Sequence, residues 1–196
     1  MNEMSRRLKA VCVFCASSNA VAGEFKEVAR ELGRLLGERG LELIYGGAAI
    51  GLMGEVARGV HEKGGRVVGV LPHFFMKKGI RYDEADELVV TRDMRERKGI
   101  MDGRADAFIV LPGGVGTLEE AVEIFSLIQL KQTMKPLVFI NTCNFYDGLF
   151  SLFRHMVEQK FARQETLEMY AVEPGPREAL AFIEAFRPPE IHSKWL

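Results

Sequence analysis

The sequence predicts an α/β domain in which a doubly wound parallel sheet carries helices on both faces. Three observations predict it. Short, continuous runs of Val, Ile, Leu and Phe recur along the chain, and such runs are typical of strands that are buried on both faces. Amphipathic segments alternate with these runs, and an alternation of strand and helix favours a parallel sheet. The length of 196 residues is that of one domain.

Six apolar segments are predicted to be strands. They are residues 9–15, 41–45, 66–71, 88–91, 107–111 and 137–141, and a weaker candidate lies at 168–172. Helices are predicted between them, because apolar residues from Val21 to Leu35 keep helical spacing and Gly40 then ends the helix. The same spacing recurs over residues 52–63, 118–128, 146–156 and 176–186. The charged segment 94–98 is a further candidate helix start, which would ordinarily be a solvated face.

Composition excludes several classes of function. The chain has 26 Lys and Arg against 27 Asp and Glu, so it has no basic surface for general nucleic-acid binding. No apolar run reaches the length that spans a bilayer. The odd number of cysteines, three, favours a reducing cytoplasm. Cys12 and Cys15 lie three apart on a predicted strand, so we expect them on opposite faces, where they cannot share a metal or a disulfide. The histidines are scattered, and we expect no metal and no cofactor.

Small and hydroxyl-bearing residues follow several of the predicted strands. In a doubly wound sheet, ligands bind beyond the carboxyl ends of the strands. The segments at this edge are 16–19 with Ser17, 46–51 with Gly46 and Gly47, 72–75, 112–117 and 141–144. The sequence therefore predicts a ligand site on one edge of the sheet.

The segment Pro112-Gly113-Gly114-Val115-Gly116-Thr117 joins a predicted strand to a predicted helix. Glycines there let backbone N–H groups converge on an anion, and the helix N-terminus adds partial positive charge. We therefore expect phosphate binding rather than a plain turn. The segment is not a Walker A loop, and 46–51 has alanine at the second glycine of G-x-G-x-x-G, so a nicotinamide cofactor is not expected.

Two interpretations of the carboxylates after this loop stay open. Thr117-Leu118-Glu119-Glu120 fits the S/T-x-x-E capping box, which places both acids in the first helical turn. Alternatively, a carboxylate beside a sugar C1′ would stabilise an oxocarbenium-like transition state. Arg97, whose charge is permanent, could clamp the phosphate or hold Glu120 in place.

These motifs together resemble those of the LOG ("Lonely Guy") family. Residues 112–120 match its PGGxGTxxE motif, and Arg97-Lys98 stand where the family has an Arg-Lys pair. Segments 15–18, 45–47, 51–54 and 105–109 are similar as well and occur in the same order. The resemblance covers residues from about 11 to 148.

The resemblance implies a single Rossmann-like domain over residues 1–196, with a C-terminal tail at 187–196, that forms a homodimer. It implies a phosphoribohydrolase that cleaves the N-glycosidic bond of N6-modified adenosine 5′-monophosphates and releases cytokinin or adenine and ribose 5-phosphate. Arg97 and Glu120 take the catalytic positions. The implied substrate-binding residues are Lys98, Gly113, Gly114, Val115, Gly116, Thr117, Glu119 and Ser126, and from the sheet edge we add Ser17, Gly46, Gly47 and Met53.

Some positions depart from the family pattern. Ala16 and Ala48 replace glycines, Arg95 replaces a histidine, Ser126 replaces a threonine, and Gly79 falls where many members have a glutamate associated with the substrate. The choice of base is therefore open. Two alternatives remain, which are a non-catalytic carrier of a phosphorylated cofactor such as the molybdenum cofactor, and a broader nucleoside monophosphate nucleosidase. The sequence does not support the older family label, lysine decarboxylase. That chemistry requires a lysine that holds pyridoxal phosphate and an acid for its pyridinium nitrogen, and no motif marks such a pair.

Overall fold

A computed structural model describes residues 8–76 and 80–188. Its strands are β1 (Ala10–Phe14), β2 (Glu42–Tyr45), β3 (Val67–Pro72), β4 (Glu87–Thr91), β5 (Ala107–Val110), β6 (Leu137–Ile140) and β7 (Ala171–Glu173). These described strands form one sheet in the order β4-β3-β2-β1-β5-β6-β7, and every adjacent pair is parallel. The predicted doubly wound parallel sheet is therefore confirmed.

Helices connect the strands and cover both faces of the sheet. They are α1 (Gly23–Glu38), α2 (Gly51–Glu62), α3 (His73–Met76), α4 (Met94–Arg104), α5 (Val115–Gln129), α6 (Asp147–Glu158) and α7 (Pro176–Ala185). None of the helices in the described part of the chain is long and apolar enough to cross a membrane.

Alternation along the buried strands divides the core into two layers. Val11, Val13 and Cys15 pack on one side with α1, α2 and α7, whereas Cys12 and Phe14 pack on the other with α4, α5 and α6. Cys12 and Cys15 are both buried and free, so the prediction that they lie on opposite faces is confirmed.

Several predicted boundaries were wrong in detail. α6 begins at Asp147, one residue after the predicted start, and residues 73–76 form a short helix where no element was predicted. The seventh strand, predicted at 168–172, begins only at Ala171, because a 3-10 turn occupies Gln164–Glu168. The departure at Gly79 and the tail beyond Pro188 lie outside the described residues.

The carboxyl edge of the sheet gathers the loops that follow β1, β2 and β5. β1 is the switch point of the sheet, because it pairs with β2 on one side and β5 on the other. The N–H of Ala16 donates to the carbonyl of Pro112 (3.2 Å), and the Ala16 carbonyl accepts from the Met53 N–H (3.2 Å). The three loops are thus tied together where doubly wound folds bind ligands.

Candidate active site

A buried ion pair joins α4 to α5 at this edge. Arg97 lies in the first turn of α4, and Asp93 caps that helix by accepting from the N–H groups of Arg95 and Glu96, both at 2.9 Å. The Arg97 Nε donates to the Val70 carbonyl (3.0 Å), and its Nη1 lies 2.5 Å from Glu120 Oε1. The guanidinium is therefore held on two sides.

Glu120 has an unusual electrostatic setting for a carboxylate. Glu120 is only 5% exposed, and burial raises the pKa of its carboxyl above the ordinary value. The charge of Arg97 and the hydrogen bond from it lower this pKa but do not outweigh burial. Removal from water disfavours the charged form, and the permanent charge of Arg97 favours it. A carboxylate with a raised pKa is a stronger base than an ordinary glutamate, which suits a general base.

Gly46, directly after β2, leaves the space that Arg97 occupies. A Cβ on Gly46 would lie 2.3 Å from Arg97 Nη2 and 3.0 Å from both the Cε and the Sδ of Met53. The glycine is required here by close approach. Met53 is half-buried at the start of α2. It therefore lies next to Gly46, as the catalytic candidate Arg97 does.

The N-terminus of α5 is open. Gly114 is its N-cap and has no side-chain cap, in contrast to α4, and Val115 is 84% exposed. Thr117 is buried and covers Gly113, where a Cβ would lie 2.1 Å from the threonine Oγ1. The first turn of α5 thus presents N–H groups without side-chain partners, which is the arrangement that binds phosphate.

The capping-box interpretation of 117–120 is wrong. α5 begins at Val115, so Thr117 is its third residue and both glutamates lie in the second turn. Glu120 bonds to Arg97 instead of to a helix N-terminus. The sequence contains the T-x-x-E pattern, but α5 begins two residues before Thr117, so this threonine is not the N-cap.

Lys98 and Glu119, both predicted to bind substrate, contact each other. The Lys98 Nζ forms ion pairs with Glu119 and, at 2.5 Å, with Glu123. Burial lowers the pKa of Lys98, but the hydrogen bonds that Lys98 donates to the two glutamates, together with their negative charges, outweigh it and leave the pKa raised. Lys98 is therefore a firmly protonated cation on the side of α5 next to Glu120.

The remaining predicted residues lie at the same edge or further along α5. Ser17 is exposed in the loop after β1, and the buried Gly47 accepts at its carbonyl from the Tyr82 N–H (2.9 Å). Ser126 is exposed on α5, and its hydroxyl donates to the Val122 carbonyl of its own helix (2.8 Å). The hydroxyl of Ser126 is thus bonded within its own helix and not to Arg97 or Glu120.

Two supporting residues were not predicted from sequence. Asp93 could have been found, because an aspartate directly before a helix is a common N-cap signal. Tyr146 could not, because its hydroxyl reaches a carbonyl 35 residues away. Among the residues that the structure describes, no group of three or more His, Cys, Asp or Glu could hold a metal ion.

Comparison with known proteins gives consistent matches. A family model described as "Possible lysine decarboxylase" matches residues 53–183. The cytokinin riboside 5′-monophosphate phosphoribohydrolase LOG of Oryza sativa subsp. japonica is 37% identical over 186 residues, which is 95% of this chain and 77% of that one. A cytokinin riboside 5′-monophosphate phosphoribohydrolase of Arabidopsis thaliana is 37% identical over 196 residues, 99% of this chain and 90% of that one.

Solved structures show the same fold at lower identity. The molybdenum cofactor binding protein of Rippkaea orientalis has a TM-score of 0.71 at 21% identity and covers 92% of this chain and 98% of its own. The Moco carrier protein of Chlamydomonas reinhardtii has a TM-score of 0.68 at 23% identity and covers 91% and 96%. At this level of identity the similarity concerns architecture alone.

Proposed function

The chain belongs to the LOG family, whose model carries the description of possible lysine decarboxylases, and on that premise we propose that it is a nucleoside 5′-monophosphate phosphoribohydrolase. As such, it hydrolyses the N-glycosidic bond of N6-modified adenosine 5′-monophosphates and releases the free base and ribose 5-phosphate. The observation that carries the proposal is the buried Arg97–Glu120 pair next to an uncapped helix N-terminus.

The 5′-phosphate binds at the first turn of α5. The N–H groups after Gly114 have no side-chain cap, and the dipole of a 15-residue helix adds to their positive potential. Glycines at 113, 114 and 116 keep side chains away from the approaching oxygens. Binding this remote group supplies energy that orients the ribose for reaction.

Helix α5 sets the separation between phosphate and carboxylate. Glu120 follows Val115 by five residues, which is roughly 7.5 Å along the helix axis. A ribose that extends from the phosphate along α5 therefore brings its C1′ toward Glu120. One helix thus holds both ends of the sugar phosphate.

Glu120 acts on the reacting carbon. Its carboxylate stabilises the positive charge that develops at C1′ as the bond to the base breaks, and it takes a proton from the attacking water. In the net reaction water thus supplies the hydroxyl on C1′ and the proton that the departing base takes up. Arg97 favours the ionised form of Glu120 against the effect of burial and fixes its position through the 2.5 Å contact. Because Arg97 cannot lose its proton, its role is positioning and charge, not acid catalysis.

The base lies toward Met53 and the loop after β2. Met53 is a flexible, polarisable side chain that adapts to apolar groups of different shape. In this arrangement the exposed Ser17 and the Lys98–Glu119 pair bind the sugar phosphate. Lys98 does not suit decarboxylation through a Schiff base, because a Schiff-base lysine must lose its proton. The two carboxylates paired with Lys98 favour its protonated form.

We further propose a homodimer in the cytoplasm. Apolar side chains remain exposed after the end of α5, on α6 and just beyond α6, namely Leu130, Met134, Leu152, Met156 and Phe161. The Phe161 residue is 88% exposed, and surfaces of this kind commonly pack against another subunit. The cysteines are free, as expected in a reducing compartment. Light scattering of the full chain tests the dimer.

The function is tested by product analysis. Wild type and Glu120→Gln are incubated with AMP and with isopentenyladenosine 5′-monophosphate, and released base and ribose 5-phosphate are separated by chromatography. We expect release by wild type and a loss of about 10²–10⁴-fold in Glu120→Gln, which keeps the shape of the side chain but not its charge.

Each alternative predicts a different result. A carrier of a phosphorylated cofactor binds AMP but releases no base in either form. A broad nucleosidase releases base from pyrimidine nucleotides at a similar rate. Equal turnover in Glu120→Gln and wild type would remove Glu120 from the mechanism.

A further inference from the structure

We propose that Tyr146 is a positioning residue for the phosphate-binding loop, which comprises residues 112–117. Its hydroxyl fixes the base of this loop, so that the N–H groups at the start of α5 keep the geometry that a phosphate needs. The identity of the ligand as a sugar phosphate rests on the function proposed above; the anchoring itself rests on the contacts described next.

The Tyr146 hydroxyl adjoins the residues on both sides of Pro112. It donates to the Leu111 carbonyl at 2.9 Å in a buried contact, and the N–H of Gly113 lies close enough to act against the rise in the Tyr146 pKa. Burial nevertheless raises the pKa of Tyr146 above its ordinary range, so the hydroxyl keeps its proton and remains a donor. Leu111 and Gly113 thus both adjoin one side chain that belongs to neither β5 nor α5.

Tyr146 is itself held in place. Its N–H donates to Asn141 Oδ1 (2.8 Å), and the Asn141 amide donates to Asp147 Oδ1 (2.8 Å). Its ring packs edge-on against Phe139 and Phe145, with centroids 5.3 and 4.9 Å apart. A hydroxyl at the end of a fixed ring is a rigid anchor.

The other side of the loop is tied to β1. The Leu111 N–H donates to the Phe14 carbonyl (2.9 Å), and the Pro112 carbonyl accepts from the Ala16 N–H (3.2 Å). Further along, the outer side of the loop is open, because a Cβ on Gly114 or Gly116 would meet nothing within 4 Å. The position of the exposed N–H groups therefore depends on these two anchors at the base of the loop and on Thr117, which packs over Gly113.

The test compares Tyr146→Phe with Tyr170→Phe. Tyr170 belongs to the same aromatic cluster, edge-on to Phe139 at 5.8 Å and stacked on Phe150 at 5.5 Å, so its variant makes the same chemical change away from the loop. Calorimetry measures the Kd for ribose 5-phosphate, and steady-state kinetics measures KM and kcat for AMP.

For Tyr146→Phe we expect Kd and KM to rise about tenfold, since one hydroxyl adjoins two backbone groups of the loop, while kcat stays within about threefold. For Tyr170→Phe we expect Kd and KM to stay within about twofold of the wild-type values. A purely structural role of the hydroxyl would lower the folded fraction and so the apparent kcat, leaving KM unchanged, and that result overturns the proposal.

Unchanged affinity for ribose 5-phosphate in Tyr146→Phe also overturns it, as does an equal loss in Tyr170→Phe. If wild type binds ribose 5-phosphate but hydrolyses no nucleotide, the proposed function fails while the binding comparison still decides the role of Tyr146.

If Tyr146→Phe does not fold, Asn141→Ala replaces it, because that change removes the acceptor of the Tyr146 N–H and keeps the hydroxyl. A rise of about threefold in Kd is then expected, and wild-type affinity contradicts the proposal.

Discussion

Replacing Gly46 with alanine tests whether the fixed position of Arg97 matters for turnover. The added methyl carbon would lie 2.3 Å from Arg97 Nη2 and 3.0 Å from the end of Met53, whereas carbon atoms in contact are about 3.5–4.0 Å apart. Met53 can rotate away. Arg97 cannot do so freely, because its Nε and Nη1 are bonded to Val70 and Glu120.

The guanidinium or the loop after β2 must therefore shift by about 1 Å, which is the overlap implied by normal contact distances. A misplacement of that size lowers kcat/KM by about 100-fold. Overpacking of the site lowers stability by about 1–3 kcal/mol, which for a domain of this length lowers Tm by roughly 2–12 °C.

Base release from AMP, normalised to folded protein by circular dichroism, measures the effect of Gly46→Ala. The matched control is Gly103→Ala in α4, where a Cβ would meet nothing within 4 Å. That variant should keep wild-type turnover and gain up to about 1 kcal/mol of stability. Wild-type turnover in folded Gly46→Ala would refute the argument that the Arg97 geometry controls catalysis.

Two further predictions concern pH. Because burial raises the pKa of Glu120, the acidic limb of the kcat/KM profile should lie above the ordinary glutamate pKa of about 4.3, with activity rising as Glu120 loses its proton; a limb at or below that value contradicts the assignment. Hydrogen bonds from Arg30 and Arg34 lower the pKa of Glu62 to about 2, so the α1–α2 contact should stabilise the fold above pH 4.5 and lose this contribution as pH falls toward 2. The Tm of wild type and of Glu62→Gln should therefore differ at pH 6 and converge near pH 2, and parallel curves would show that the pairing contributes nothing.

Much of the architecture could be predicted from local patterns. The apolar pattern of each strand and helix shows which of its faces is buried. Periodicity therefore predicted the sheet, its two covered faces and the opposite orientations of Cys12 and Cys15. It did not predict where α5 begins. A T-x-x-E pattern has the same spacing inside a helix as at its end, and only the packing of Thr117 over Gly113 distinguishes the two cases.

The sequence by itself determined the fold class and the glycine-rich segment 112–117 at the carboxyl edge of the sheet, because these depend on residues adjacent in the chain. The tertiary structure decided that Arg97 meets Glu120, that Gly46 makes room for Arg97, and that Tyr146 anchors Leu111. These contacts join residues that are 23 to 51 positions apart (120−97 and 97−46). No local pattern encodes such a distance, since each contact depends on how separate elements pack across the sheet.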